Sequence, residues 1–134
     1  MIGDFKVGDK ASFIKVFTEE DLEKFSQITT DRNELHFDED YAKVSIFGKR
    51  ILPGMLTASL FSALVGNHLP GKGGIYLGQT ISFKKPVFIN DKITASAEIT
   101  KIREDKPILT MRMLCINSKN EICVEGEAVV KYMG

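Results

Sequence analysis

Apolar and polar residues alternate through most of the second half of the chain. This period of two predicts strands over residues 74–86, 91–103, 107–117 and 122–132, and a shorter run predicts a strand over 10–16. The links EDK and SKNE between the last three strands are short, so their neighbours are expected to be antiparallel. The pattern therefore predicts a largely antiparallel sheet.

The last two predicted strands form a hairpin whose register follows from its apolar positions. Matching the apolar faces requires a two-residue turn at Lys119–Asn120 and pairs Arg112 with Glu127. The same register points Cys115 and Cys123 to opposite faces, so we expect two reduced structural thiols, with no disulfide and no metal site. The apolar pairs in this register are Leu109 with Val130, Met111 with Ala128, Met113 with Gly126 and Cys115 with Val124.

Helical spacing first appears in the segment FTEEDLEKFSQI. Thr18 is the predicted N-cap, and Asp21 has the position of a capping-box acid. Leu22, Phe25 and Ile28 are predicted to share one face that packs on an apolar surface.

A second helix is predicted within residues 51–71, ILPGMLTASLFSALVGNHLPG, with Pro53 at its first position. Its apolar residues surround the whole axis, which is typical of a buried helix, and only the sheet can cover it. We therefore predict one α+β hot-dog domain over residues 1–134, with a curved antiparallel sheet wrapped around a long central helix. One copy leaves a sheet edge and part of the helix uncovered, so a homodimer or larger homo-oligomer is expected.

Charge and hydropathy argue against several kinds of partner. Lys plus Arg and Asp plus Glu number 18 each, so the net charge is zero and the basic excess typical of nucleic-acid-binding proteins is missing. No apolar run approaches the ~20 residues of a membrane span. The segment MIGDFKVGDK lacks the charged-then-apolar pattern of a secretion signal. We expect a cytoplasmic protein that binds neither nucleic acid nor membrane.

The polar segment TTDRNELHFD, residues 29–38, brings a carboxylate and an imidazole close together in the sequence. Asp31 and His36 could hold one water, with one side chain taking a proton while the other gives one. Gly54, at the start of the central helix, could present an amide to a developing oxyanion. From the residues alone, a solvated polar loop and a simple Pro-Gly turn into the helix remain open alternatives.

Four short motifs follow one another in a fixed order. They are DRNELH at 31–36, FG at 47–48, ILPGML at 51–56 and PVFIND at 86–91. In this order they resemble the D-x-N-P-x-H, FG, I-x-H-G-M-L and P-V-x-x-G-D motifs of the MaoC-like (R)-specific enoyl-CoA hydratases. The resemblance extends over about residues 5–131, and the ordered combination is far more specific than any one motif.

The resemblance implies a role for each matched residue. Asp31 and His36 would hold the catalytic water and act as base and acid, and Asn33 would orient the pair. The amide of Gly54 would bind the thioester carbonyl oxygen. Water would add to carbon 3 of a trans-2-enoyl thioester of CoA or acyl carrier protein, giving an (R)-3-hydroxyacyl thioester. One water supplies both the hydroxyl group and the proton, so the resemblance implies neither a metal nor a redox cofactor.

Three positions depart from the family pattern. Thr30 stands where the family usually has Gly, Glu34 replaces a Pro, and Pro53 replaces a His. Neither the acid–base pair nor Gly54 is lost. The loop loses a fixed φ at Glu34 and gains a charge, which we expect to face the solvent. The departures bear on substrate range and efficiency more than on the fold.

Further residues are candidates for contacts with the acyl chain or with CoA. Lys84, Lys85 and Arg50 could meet the phosphates of CoA, although isolated basic residues commonly lie on the surface. His68 is interpreted as a partner of the helix C-terminus. Core packing would explain the remaining candidates equally well. These candidate substrate-binding residues are Pro53, Met55, Leu56, Ser62, Val65 and Val130.

Two other functions remain open. A hot-dog thioesterase could use Asp31 or Glu34 to hydrolyse an acyl-CoA, which would release a free thiol from saturated substrates. A non-catalytic subunit could bind an acyl thioester without turnover, and the unusual Glu34 and Pro53 keep this alternative open. Against it, a degenerate subunit has no need to retain both Asp31 and His36.

Overall fold

The computed structural model describes residues 3–134, which contain one six-stranded antiparallel sheet and several helical segments. The strands are β1 Lys10–Val16, β2 Gly74–Gln79, β3 Ser82–Phe83, β4 Lys92–Ile102, β5 Ile108–Ile116 and β6 Ile122–Tyr132. Their order in the sheet is β1-β4-β5-β6-β2, and β3 also pairs with β6. The α+β fold predicted from the sequence is confirmed, and so is the placement of the central helix against the sheet.

The helix against the sheet is segmented. It follows three earlier helices, α1 (Glu19–Thr29), α2 (Glu34–Phe37) and α3 (Glu39–Lys43). It consists of α4 (Gly54–Ala58), α5 (Leu60–Ala63) and a π-helical turn at Leu64–His68. One face of this helix packs into the core with the inward side chains of the strands. The expectation that it is buried all round is wrong, because Met55 on the opposite face is 57% exposed. No helix in the described part of the chain is both long and apolar enough to cross a membrane.

The first helix, α1 (Glu19–Thr29), begins as predicted. Thr18 accepts a hydrogen bond from the Asp21 amide, and the Asp21 carboxylate accepts one from the Thr18 amide, which completes the capping box. Leu22 is buried, but Ile28 is 83% exposed, so its predicted place on the inner face is wrong. Six residues at about 100° each rotate Ile28 roughly 120° away from Leu22, whereas Ser26 at i+4 is buried instead.

The hairpin of β5 and β6 has the predicted register, including the pair Arg112–Glu127. A bulge at Cys123 shifts the last pair, and Asn120 adopts a φ of 66° in a longer turn than the two-residue turn predicted. Both cysteines are free and buried in the same core, so their predicted placement on opposite faces is wrong, because the bulge turns Cys123 inward beside Val124. Burial raises the pKa of the Cys115 thiol to about 12 and raises the pKa of Cys123 as well, so both thiols are protonated at neutral pH.

The strand predicted over residues 74–86 is divided into β2 and β3. Between them, Thr80 donates its amide to the Glu127 carbonyl at 2.9 Å, and its hydroxyl accepts the Glu127 amide at 2.9 Å. These bonds hold the Thr80 backbone against Gly126 of β6. A side chain at position 126 would clash with the Thr80 backbone. The division brings Phe83 and Lys84 to the wall of a cavity at the start of α4.

Candidate active site

The segment after α1 is a chain of local hydrogen bonds. Thr30 ends α1 in the left-handed conformation, with φ 66°. A β-branched residue rarely adopts this conformation, which explains why glycine suits this position in the family pattern. The Asp31 carboxylate then accepts the Asn33 amide at 3.1 Å. Asn33 in turn accepts the Leu35 amide at 2.9 Å, capping the single turn α2 (Glu34–Phe37) that carries His36.

Asp31 and His36 face one another. Their nearest atoms, Oδ2 of Asp31 and Nε2 of His36, are 3.9 Å apart, and the side chains are 40% and 11% exposed. The His36 Nδ1 lies 2.8 Å from the carbonyl oxygen of Ile51. Since that oxygen can only accept, Nδ1 carries a proton, and in the neutral ring Nε2 is left as an acceptor towards Asp31. The 3.9 Å separation is too long for a direct hydrogen bond and suits two groups that act on one small molecule between them.

Arg50 holds the backbone of the same turn. Its Nε donates to the His36 carbonyl at 2.6 Å, and its terminal nitrogen donates to both carboxylate oxygens of Glu19 at 2.8 and 2.9 Å. With Ile51 next to it, Arg50 fixes His36 through the main chain while the Ile51 carbonyl fixes the ring. The Arg50 guanidinium therefore binds Glu19 and the His36 carbonyl, and Arg50 is not part of the cavity wall. Glu34 points to the solvent, as expected.

A cavity of about 380 Å³ joins the pair to the central helix. Asp31 and His36 form part of its wall, and Pro53, Gly54 and Met55 form another part. Pro53 is the N-cap of α4 rather than its first residue, and the first hydrogen bond inside the helix runs from the Leu56 amide to the Pro53 carbonyl at 3.0 Å. The Gly54 and Met55 amides are therefore the unpaired donors of a helix start.

Gly54 is closely covered by an aromatic ring. A Cβ atom on Gly54 would lie 2.7 Å from the ring of Phe83, so only glycine allows the ring to rest against the start of α4. Phe83 is 54% exposed, and it lines the same cavity. Phe83 and Thr57 were both missed in the sequence. Thr57 had a visible signal, since it follows Gly54 by three residues and so shares its helix face.

The other candidates divide between the cavity wall and the rest of the structure. Ser62 is on the exposed face of α5, and His68 stacks on Phe13 with ring centroids 5.1 Å apart, away from the cavity. Lys84 and Lys85 line the cavity and stay mostly exposed, with Glu125 and Glu121 at 3.6 and 4.0 Å. Among the described residues, four predicted acyl contacts are not in the cavity wall: Leu56, Ser62, Val65 and Val130.

The chain is similar to one family of known proteins in both sequence and structure. Residues 6–117 match the profile of a family described as "MaoC like domain". The chain is 48% identical to the (R)-specific enoyl-CoA hydratase of Aeromonas caviae over 94% of both proteins. It is 40% identical to the (R)-specific enoyl-CoA hydratase of Rhodospirillum rubrum over 95% of this chain and 88% of that one. A solved (R)-hydratase from A. caviae superimposes with a TM-score of 0.94 at 46% identity, covering 97% of this chain and 98% of that chain.

Proposed function

The chain belongs to the MaoC-like domain family, and we propose that it is an (R)-specific enoyl-CoA hydratase. This hydro-lyase would add water reversibly to a trans-2-enoyl thioester and form an (R)-3-hydroxyacyl thioester. The observation that carries the proposal is the cavity whose wall contains both the Asp31–His36 pair and Gly54 and Met55 at the start of α4. Its relatives from Aeromonas caviae and Rhodospirillum rubrum, named as hydratases, support it.

In the proposed reaction, Asp31 and His36 bind a single water. One of the pair removes a proton as the water oxygen bonds to carbon 3, and the carbon 2–carbon 3 π electrons shift towards the thioester carbonyl. A proton then returns from the pair to carbon 2, so that the enzyme gains no net proton. The Ile51 carbonyl keeps His36 in the tautomer whose Nε2 can accept, which suits it to this exchange.

The Gly54 amide is proposed to bind the thioester oxygen. Negative charge develops on that oxygen when water attacks carbon 3, and an unpaired donor at a positive helix end stabilises it without reorganising. Asn33 is proposed as a positioning residue. Its main-chain N–H donates to the Asp31 carboxylate, and its side-chain oxygen accepts the Leu35 amide and so caps α2. Neither step needs a metal or a redox cofactor, since one water supplies both the hydroxyl group and the proton.

The cavity wall supports Pro53 and Met55 as substrate contacts. Leu56, Val65 and Val130 are buried in the core, and Ser62 is exposed, so their part in an acyl tunnel stays a prediction. The choice of CoA as carrier follows the two hydratase relatives. The cytoplasmic location also stays a prediction.

We further propose a homodimer as the working assembly. The edge strand β2 exposes Ile75 and Leu77 at 44% and 53%, and Met55 and Phe83 beside the cavity are also more than half exposed. Apolar side chains along an unpaired sheet edge are typical of a surface that another strand covers. Light scattering on the purified protein should give twice the 15.0 kDa chain mass. A mass of one chain at the concentrations of an activity assay would contradict the dimer.

The hydratase proposal is tested with crotonyl-CoA. Addition of water removes the conjugated double bond, so the ultraviolet absorbance of the enoyl thioester should fall, and the product should be the (R)-3-hydroxy isomer by chiral analysis. Butyryl-CoA with a thiol reagent is the control, because a thioesterase would release CoA from it and a hydratase would not. Folded protein that hydrates no enoyl-CoA, whatever the acyl length, would rule out the proposal.

A further inference from the structure

Thr57 carries an unpaired hydroxyl in the wall of the active-site cavity. The side chain is only 1% exposed, and its Oγ1 is the one buried side-chain nitrogen or oxygen without a hydrogen-bond partner among residues 3–134. The cavity that Thr57 lines also contains Asp31, His36 and Gly54. A buried hydroxyl without a partner destabilises a fold, so its position requires an explanation.

The usual local partner of a helical threonine is not used. Threonine in a helix commonly donates to a carbonyl three or four residues earlier, which here belongs to Gly54 or Pro53. The Pro53 carbonyl instead accepts the amides of Leu56 at 3.0 Å and of Thr57 itself at 3.4 Å. The main-chain carbonyl of Thr57 faces the Cys115 thiol at 3.7 Å, so the backbone is anchored in the core while the hydroxyl stays unpaired.

The position of Thr57 on α4 indicates what it can reach. It follows Gly54 by three residues, which puts both on one face of the helix, and helical side chains lean towards the N-terminus. Thr57 therefore belongs to the wall that holds the unpaired amides. Asp31 and His36 come from a different segment, which holds the water in the proposed reaction.

We propose that the Thr57 hydroxyl donates a hydrogen bond to the thioester carbonyl oxygen of the acyl substrate, alongside the Gly54 amide. This inference rests on the proposed hydratase function and adds a second donor to it. The bond strengthens as negative charge develops on the carbonyl oxygen, so that the hydroxyl stabilises the transition state more than the bound substrate. Thr57 acts without being ionised, and the proton on Oγ1 stays in place throughout.

Two substitutions separate the hydroxyl from the shape of the side chain. Thr57→Val keeps the branched shape and removes the donor, whereas Thr57→Ser keeps the donor and removes a methyl group. With crotonyl-CoA, Thr57→Val should lower kcat roughly 10- to 100-fold with a smaller change in KM. Thr57→Ser should keep much more activity than Thr57→Val, because it keeps the hydrogen-bond donor. Both thermal unfolding curves should remain cooperative, and the valine variant should melt no lower than the parent because it loses an unpaired buried hydroxyl.

The pH profile of kcat completes the test. If the Thr57 hydroxyl only donates a hydrogen bond to the thioester carbonyl oxygen, its removal in Thr57→Val should leave the shape of the profile unchanged. The groups that titrate in the reaction are other residues. The inference is overturned if the valine variant keeps the parent kcat, if serine and valine lose the same activity, or if the profile shifts. A parent protein without hydratase activity would instead overturn the proposed function, so that the two failures are distinguishable.

Discussion

Asp31→Asn should lower kcat for the hydration of crotonyl-CoA by about 10²- to 10⁴-fold, the range for loss of a general acid–base group. Asparagine is nearly the same shape, and its side-chain oxygen can still accept the Asn33 amide, now 3.1 Å from the carboxylate. The turn should therefore fold, and only proton transfer is removed. His36→Asn should have a similar effect, because its amide nitrogen can still donate to Ile51 while the Nε2 function is lost.

The matched control for this pair is Glu34→Gln. Glu34 lies in the same turn but is exposed to solvent, so its neutralisation should change kcat by less than about twofold. If Asp31 and His36 act on the same water, the double variant should be little worse than the poorer single variant, since groups that work as a unit are not additive. Full activity in folded Asp31→Asn or His36→Asn would show that the water is activated elsewhere.

The sequence predicted the sheet better than the helices for a physical reason. Period-two patterns on two neighbouring strands allow few registers that keep both apolar faces on one side, and Met111 opposite Ala128 follows from that condition alone. The interruption of the central helix at Ser59 has no equivalent condition. That interruption depends on how the helix packs. The exposure of Ile28 is different, because its angle of about 120° from Leu22 follows from helical geometry and could have been predicted.

The geometry of the candidate site was most predictable where its parts are close in sequence. Asp31 and His36 meet because Asn33 caps one short turn between them, which is a local effect of residue type. The contacts of Arg50 with Glu19 and with the His36 carbonyl join segments that are far apart in the chain. No local pattern encodes these contacts, and so the sequence predicted for Arg50 either a contact with the CoA phosphates or a place on the surface.

Gly126→Ala should lower the free energy of unfolding by about 3 kcal/mol or more. A Cβ atom at this position would lie 1.8 Å from the carbonyl oxygen of Thr80 and 2.8 Å from its carbonyl carbon. Both contacts are with backbone, so a rotamer change cannot relieve them. Thr80 is itself held by two hydrogen bonds to Glu127, and the substitution must break these bonds or displace β6.

This strain should reach the active site through β3. The segment displaced with Thr80 leads within three residues to Phe83, which covers Gly54 and lines the cavity, so hydration should weaken along with stability. Calorimetry at one protein concentration should show a fall in melting temperature of roughly 10 °C. Gly66→Ala is the control, because its Cβ would meet nothing within 4 Å and alanine favours a helix. A Gly126→Ala variant with the melting temperature of the parent would contradict this prediction. It would mean that the segment between β2 and β3 can move at no cost in stability, and that this segment does not fix the position of Phe83.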